Sequence, residues 1–444
     1  MKVRTASVMA LGCIFVVGQL ASGEDWPQWM GENRDGVYSE TGLVDSIPES
    51  GLPVKWRVPV ELGYAGPAVA NNRVFVSDYK LETGKITNGP GTRDGLTGKE
   101  RTTCFDAASG EMLWRYEYSR PYKISYPSGP RCTPTVDGDR VYALGAEGDL
   151  VCLNAESGDL LWKMQLAEKY EVEAPIWGYA AHPLVYGDLL ITLAGGENSL
   201  VVALNKKSGE PVWEALSAES IGYCPPSIVK LADVDTLLVW HPKALNALDP
   251  KNGSLKWDFP LAPRYEMSIA APQLLDGMLF ASGIGQTCAM VKLDEQGKPS
   301  ETVWGGKSKH GVYSANATAL FESDAIYGSD CDTGMYIAVN PKDGKRFWQT
   351  FELTTGGKNR ASHGTAFTVR NGDKHLIFTE TGDLVIAKLS PEGFEERGRM
   401  HVLEPTGECF GRAVVWSHPA FANRHMFARN DKELVCVDLA ATNE

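Results

Sequence analysis

Short apolar stretches broken by tight turns recur along almost the whole chain. Each begins with a small or proline-containing segment such as TPTVD or HPLVY, passes a turn such as DGDR or YGD, and continues into a run such as RVYALGA or LLITLAG. A strand ending at Asp or Asn follows, and the next strand carries Trp. Short alternating runs between turn signals are typical of β-strands, and no stretch has a useful helical period. The pattern predicts an all-β protein.

One phrase recurs in these units: Asp or Asn, then Gly four residues later, then Trp four residues after the Gly. We expect the Asp or Asn side chain to cap a turn, the Gly to take a positive φ, and the Trp to cover the seam to the next sheet. Repetition of one unit predicts a stacked or ring-like array. The five copies are Asp106/Gly110/Trp114, Asn154/Gly158/Trp162, Asn205/Gly209/Trp213, Asp249/Gly253/Trp257 and Asn340/Gly344/Trp348.

The two ends of the repeat array complement each other. The first copy has only its Trp strand, VKWRVPV, and the last copy, LVCVDL, stops before its Trp strand. Joining them completes one unit and closes a ring, which removes the sheet edges that promote aggregation. The sequence therefore predicts an eight-bladed β-propeller of four-stranded blades over residues 52–440. The N-terminal Trp strand would pair with the C-terminal blade.

The N-terminus has the pattern of a secretory signal over residues 1–23. Lys2 and Arg4 precede an apolar run, and Ala21 and Gly23 are small residues suited to a cleavage site. A lipoprotein signal centred on Cys13 is a weaker alternative. No later apolar run is long enough to cross a bilayer, so an extracytoplasmic product, periplasmic or secreted, is expected. Residues 24–51 would then lie across one propeller face, anchored by Trp26 and Trp29.

Charge and cysteine usage narrow the classes of partner and of site. Removing the signal changes the formal net charge from −13 to −15, and no basic block exists, which argues against nucleic acid and anionic membranes. Cys104, Cys152 and Cys436 share a repeat position with alanines, so they are expected to be small packing residues. Cys288 and Cys331 occupy corresponding turns and could form a disulfide. The sequence contains no CxxC pair, so it does not indicate a zinc site.

Residues 80–103 interrupt the repeat. They are rich in Gly, Thr and polar residues, which favours an extended surface loop, with a loop that binds a partner or ligand as the alternative.

Candidate binding residues lie where the innermost strands begin, because these strands line the central channel of a propeller. Three histidines and one asparagine share this repeat position, and an aromatic and cationic shell lies just outside it. Such a mouth suits a small polar or anionic ligand. The same residues also suit a structural role with ordered water, or a transition-metal site. The candidates are His182, Asn316, His363 and His418, with Arg131, Tyr179, Tyr223, Tyr313, Arg360 and Trp416.

The D/N-x-x-x-G-x-x-x-W repeat resembles the pyrroloquinoline-quinone (PQQ)-type propeller repeat. That superfamily includes quinoprotein dehydrogenases and the outer-membrane assembly lipoprotein of the β-barrel machinery, and the DWPQWMGENRDG opening is similar to secreted PQQ-repeat proteins of environmental bacteria. The resemblance implies a propeller in which PQQ can lie over the channel against an adjacent Cys–Cys pair, with carboxylates for calcium. This chain has no adjacent cysteines.

The function predicted from the sequence is that of an extracytoplasmic module that binds a small polar ligand or a protein at the propeller face. Nucleophile and phosphate-binding motifs such as GxSxG and GxGxxG are absent from the sequence. Two alternatives remain open: a quinoprotein-like oxidoreductase with PQQ, and a scaffold for outer-membrane protein assembly.

Overall fold

The computed structural model describes residues 23–357 and 360–441. Apart from Gly23, the predicted signal segment lies outside these residues. The first fourteen strands, in chain order, are β1 (Val54–Pro59), β2 (Ala68–Ala70), β3 (Arg73–Thr83), β4 (Asp94–Asp106), β5 (Met112–Ser119), β6 (Tyr122–Ile124), β7 (Thr135–Asp137), β8 (Arg140–Leu144), β9 (Asp149–Asn154), β10 (Leu160–Gln165), β11 (Leu184–Tyr186), β12 (Leu189–Leu193), β13 (Val201–Asn205) and β14 (Pro211–Ala215).

The remaining strands continue the same rhythm. The next twelve are β15 (Ser227–Leu231), β16 (Val234–His241), β17 (Ala244–Leu248), β18 (Leu255–Pro260), β19 (Gln273–Leu275), β20 (Met278–Gly283), β21 (Thr287–Leu293), β22 (Pro299–Gly305), β23 (Leu320–Phe321), β24 (Ile326–Ser329), β25 (Tyr336–Val339) and β26 (Arg346–Thr350). The last nine are β27 (Ala366–Asn371), β28 (Lys374–Thr379), β29 (Asp383–Ser390), β30 (Gly393–His401), β31 (Gly407–Cys409), β32 (Arg412–Val414), β33 (Ala420–Ala422), β34 (His425–Arg429) and β35 (Glu433–Asp438).

These strands form eight antiparallel blades, which confirms the predicted propeller. Blades one to seven are β2–β5, β7–β10, β11–β14, β15–β18, β19–β22, β23–β26 and β27–β30. The eighth blade combines β33, β34 and β35 with β1 from the start of the chain, and Trp56 stands opposite Cys436 in this pairing. Helix is confined to α1 (Leu166–Lys169) and a 3₁₀ turn at Arg264–Glu266 in the described residues. No helix there is long and apolar enough to cross a membrane.

The repeated phrase is a clasp between neighbouring blades. Trp114 of blade one donates its indole N–H to the Ala155 carbonyl of blade two, at 3.1 Å. Gly158 has a φ of +78°, and a Cβ there would lie 2.6 Å from the Trp114 ring, so only glycine fits beneath the indole. The Asn154 side chain accepts two backbone N–H bonds within the turn. Equivalent indole bonds are donated by Trp56, Trp162, Trp213, Trp257, Trp304 and Trp348.

The cysteines that interchange with alanine stand directly opposite these tryptophans. Cys104 pairs with Trp114 and Cys152 with Trp162, whereas Ala203 pairs with Trp213. All of them are fully buried, so the interpretation as small packing residues is confirmed. The eight described cysteines are free, and the possible Cys288–Cys331 disulfide is therefore wrong. Both thiols are buried in one apolar cluster, which accounts for their similar positions without a covalent bond.

The seam between blades seven and eight lacks a clasp tryptophan, because β30 carries none. Residues 43–52 cover this seam instead. The Ile47 N–H bonds the Arg397 carbonyl of β30, and the Val44 N–H bonds the Leu439 carbonyl just after β35, both at 2.9 Å. The buried Lys374 ammonium donates to the carbonyls of two residues in this segment. The N-terminal segment thus completes the ring where the repeat is degenerate.

The surface loop expected over residues 80–103 is largely a β-hairpin, so that prediction is wrong. Strands β3 and β4 are longer than those of the other blades and pair as far as Thr83, which stands opposite Thr97, and β6 adds to β4. Leu96 is buried beside the stacked rings of Tyr79 and Tyr122, whose centroids lie 4.0 Å apart. Threonine suits a pleated sheet as well as a loop, so composition alone misassigned the segment. Only residues 84–93 form the connecting tip.

Candidate functional site: a cavity at the channel mouth

The connections from the outer strand of each blade to the innermost strand of the next surround a cavity of about 860 Å³. Every one of the eight connections contributes to its wall, as do the 84–93 tip and the β31–β32 hairpin. Seven aromatic side chains line the wall above the floor. They are Tyr64, Tyr126, Trp177, Tyr223, Tyr265, Phe410 and Trp416.

Eight of the ten residues singled out in the sequence line this cavity. They are His182, Asn316, His363, His418, Arg131, Tyr223, Arg360 and Trp416. Tyr179 and Tyr313 do not: both are buried, and their hydroxyls donate to the carbonyls of Ala194 and Lys307. Neighbouring residues in an irregular connection point in different directions, and the repeat alignment carries no information on that choice.

Trp29 forms the floor of the cavity. Its ring stacks on His182 with centroids 5.0 Å apart and planes 10° apart, and its indole N–H donates to Nε2 of His418 at 3.2 Å. The sequence marked this residue as an anchor of the N-terminal segment and not as part of the ligand site. The only available signal was its place in the DWPQW opening.

The segment around Trp29 runs along the channel. Trp26 exchanges both backbone bonds with Val69 of the innermost strand β2, at 2.8 Å. The buried Arg34 guanidinium donates to the carbonyls of His182, Pro183 and Pro226, at the start of blades three and four. Burial lowers the pKa of Arg34 to about 9, and the bonding carbonyls supply the compensating partners. The segment therefore spans the channel and closes the cavity from below.

The histidines of the cavity are held in the neutral form. Burial lowers the pKa of His418 to about 3 and the pKa of His182 well below its usual range. His182 Nδ1 accepts the Thr133 backbone N–H at 2.9 Å. His363 also lines the cavity, with a positive φ of 57° and its ring stacked on Phe410. Burial lowers the pKa of His363 as well. Within the described ranges, no group of three His, Cys, Asp or Glu residues could hold a metal ion.

Three arginines provide the charge of the cavity. Arg131 is held by the carbonyls of Ser125, Tyr126 and Gly129, and its guanidinium lies 5.2 Å from the Tyr64 ring centroid. Burial without a carboxylate partner lowers the Arg131 pKa. Asp332 is the one acidic residue of the lining.

Arg264 and Arg360 lie on other connections of the ring. Arg264 rests on the Tyr265 ring at 4.7 Å, and Arg360 donates to the Asp332 backbone carbonyl. None of the three lining arginines forms an ion pair with any residue that the structure describes. With neutral histidines and one carboxylate, the cavity is positive inside a strongly acidic protein.

A buried carboxylate behind the wall was not predicted from the sequence. Glu380 is 1% exposed and binds Arg412 through both oxygens, at 2.8 and 3.1 Å. It also accepts the Trp416 indole N–H at 3.3 Å and the Thr365 backbone N–H at 3.0 Å. Glu380 therefore fixes one aromatic wall residue and the base of the β31–β32 hairpin. No repeat-level signal distinguishes it from other acidic turn residues.

Residues 98–350 match the sequence profile of the family described as outer membrane protein assembly factor BamB. This match spans more than half of the 444 residues. The chain belongs to this BamB family of PQQ-type repeat propellers. A search of the curated proteins finds no significant match to the chain.

Two solved structures show how widely the BamB-family propeller is shared. BamB from Moraxella catarrhalis is similar with a TM-score of 0.57 and 16% identity, over 87% of this chain and 99% of that one. Quinohemoprotein alcohol dehydrogenase from Comamonas testosteroni is similar with a TM-score of 0.59 and 12% identity, over 95% of this chain and 81% of that one. At such identities the likeness shows the fold alone.

The cavity fits one part of what a PQQ cofactor would need. Aromatic faces and unpaired arginines suit a flat anionic ring system, with Arg131 and Trp177 among the residues that would hold it. Its two lining cysteines, Cys331 and Cys409, are separate free thiols, and the described residues offer no carboxylate cluster for calcium. The residues of this BamB-family chain therefore match recognition of an anionic ring and do not match calcium-assisted quinoprotein chemistry.

Proposed function

We propose that this protein is a binding module that holds a small aromatic carboxylate in the channel-mouth cavity. The proposal rests on one observation: Arg131, Arg264 and Arg360 surround an aromatic-walled cavity, and none of them has a carboxylate partner among the described residues. An anion entering the cavity would pair with guanidinium groups that are already desolvated or held in place. Aromatic side chains would cover the ligand ring. Extracytoplasmic location belongs to the same proposal and rests on the signal pattern alone.

Fluorene carboxylate, a flat aromatic ring system with one carboxylate, serves as the probe ligand. Arg264→Ala is expected to weaken its binding about five- to tenfold, as the loss of one partly exposed charge-assisted contact would do. The Arg264 guanidinium makes no hydrogen bond with the described residues and lies over the Tyr265 ring. The backbone bonds of Arg264 are kept in the variant, so folding should be unaffected. Titration of the intrinsic tryptophan fluorescence measures the affinity.

The matched controls separate a specific contact from net charge. Lys243→Ala removes one positive charge from an exposed side chain outside the cavity and should leave the affinity unchanged. The uncharged fluorene carboxamide should bind wild type and Arg264→Ala equally. Equal loss of carboxylate binding in both variants, or no carboxylate binding by wild type, would overturn the proposal.

A second candidate function is a protein scaffold in outer-membrane assembly, which family membership favours. The outer strands of blades one to four and of blade six also carry exposed apolar side chains soon after the clasp glycine, a pattern that suits protein contacts. These residues are Met112, Leu160, Val212, Leu255 and Phe347.

Pull-down of the tagged protein from an envelope extract tests the scaffold function. Recovery of a barrel-assembly subunit by wild type, and its loss in a Val212→Asp, Leu255→Asp double variant, is the expected result. Both side chains are more than half exposed, so the double variant should fold. Recovery of no such subunit by wild type would count against the scaffold.

A further inference from the structure

The wall of the cavity has an aromatic part and a polar part. Every Phe, Tyr and Trp of the wall above the floor comes from the connections that lead to blades one to five and to blade eight. Blades six and seven contribute mostly polar residues instead. We call these residues the polar sector: Asn316, Thr318, Asp332, Arg360, Ser362 and His363. A flat ring packs best against the aromatic part, which leaves its substituents to face the polar sector.

Asp332 is the one carboxylate of the polar sector. It lies in the turn between β24 and β25, where the Cys331 thiol contacts Oδ1 at 3.7 Å. No described lysine or arginine forms an ion pair with this carboxylate, and Arg346 pairs with Asp330 of the same turn instead, at 2.9 Å. Burial lowers the pKa of His363, and the Asp332 carboxylate acts against this effect by raising it. The carboxylate therefore lies beside an imidazole that lines the cavity.

Arg360 lies against the same residue. Its Nε and Nη2 donate to the Asp332 backbone carbonyl, at 3.4 and 3.3 Å, but the guanidinium forms no ion pair with the Asp332 carboxylate. In ring order, Asp332 of blade six lies between Arg264, on the connection to blade five, and Arg360, on the connection to blade seven. A negative group thus lies between two positive groups, and none of the three has an ion-pair partner among the described residues. This arrangement is complementary to a ligand group that carries both charges.

We propose that Asp332 binds the ammonium group, and Arg264 and Arg360 the carboxylate, of an aromatic α-amino acid. This inference rests on the proposed function and names the head group of the ligand. Because one carbon joins the ammonium and the carboxylate, only neighbouring partners can bind both, and Asp332 and Arg360 are neighbours. The ring would lie against the aromatic part of the wall. The ligand class is an aromatic compound whose carboxylate-bearing carbon also carries an amino group.

Two probes with the same ring system test the inference on the full chain. Aminofluorene carboxylate carries an ammonium group on the carbon that bears the carboxylate, and fluorene carboxylate lacks this group. We expect wild type to bind the amino probe about tenfold more tightly in calorimetric titration at neutral pH, the ratio that one charge-assisted contact gives. Equal affinity for the two probes, or weaker binding of the amino probe, would overturn the inference while leaving the proposed function intact. Binding of neither probe would overturn both.

Two substitutions on blade six assign the preference to one carboxylate. Asp332→Asn keeps the size of the side chain and the backbone carbonyl that holds Arg360, but it removes the negative charge. This variant should fold, bind fluorene carboxylate at least as tightly as wild type, and lose the preference for the amino probe. Asp324→Asn removes the same charge from an exposed side chain of blade six outside the cavity, so it should keep the full preference. A preference that survives in Asp332→Asn, or that falls equally in both variants, would show that Asp332 does not bind the ammonium group.

Discussion

Trp114→Ala is expected to lower the free energy of unfolding by about 4 kcal/mol, the range typical of a buried aromatic truncated to alanine. The indole is 9% exposed, lies over Gly158 and packs near Phe75 with ring centroids 5.9 Å apart. Its removal leaves a void between blades one and two and an unpaired Ala155 carbonyl. Denaturant unfolding followed by tryptophan fluorescence and circular dichroism measures the change.

Two companion variants identify the source of this loss. Trp114→Phe keeps a ring over Gly158 but lacks the N–H to Ala155, so it should cost about 1–2 kcal/mol. Met112→Ala alters an exposed side chain on the same strand and should change stability by less than about 0.5 kcal/mol. If Trp114→Ala were no more harmful than Met112→Ala, the clasp would not hold the blades together.

Arg34→Ala is expected to destabilise the protein by about 3 kcal/mol and to weaken ligand binding at the same time. The substitution removes the guanidinium that donates to three carbonyls, those of His182, Pro183 and Pro226. Pro183 keeps the Thr135 hydroxyl as a second donor, whereas the carbonyls of His182 and Pro226 lose the Arg34 bond. The N-terminal segment would lose its hold on blades three and four, and Trp29 would no longer be fixed beneath His182. Thermal unfolding, hydrogen exchange of residues 24–36 and fluorene carboxylate titration report the three effects.

The neighbouring Asn33 provides the control for this prediction. Its side chain is exposed on the same segment, so Asn33→Ala should leave stability and affinity unchanged. Arg34→Lys keeps the charge but cannot reach all three carbonyls and should fall between the two. Release of the segment without any loss of affinity would show that Trp29 is not part of the ligand site.

Local repetition explains how much of the fold could be predicted. The Asp/Asn–Gly–Trp phrase encodes contacts that each unit makes with its neighbour, such as the Trp114 bond to Ala155, and the same contacts recur around the ring. Counting the copies, including the copy divided between the termini, was therefore enough to predict eight blades. The hairpin over residues 80–103 was missed because it occurs once and has the composition of a loop.

The candidate site was only partly predictable. Aligning the starts of the innermost strands identified His182, Asn316, His363 and His418, which all line the cavity. Alignment gives a position along the chain and not a side-chain direction, so Tyr179 was selected although its hydroxyl points to Ala194. Trp29, Arg264 and Glu380 were not selected as site residues because they lie outside the repeated positions.

The sequence by itself determined the all-β class, the eight blades and the closure by both ends, because each depends on short-range signals repeated many times. Tertiary structure decided the rest. The N-terminal segment covers the one seam without a clasp tryptophan and places Trp29 beneath His182. Arginines distant in sequence meet at one cavity without carboxylate partners among the described residues. These contacts join segments that share no pattern, so only the folded ring brings them together.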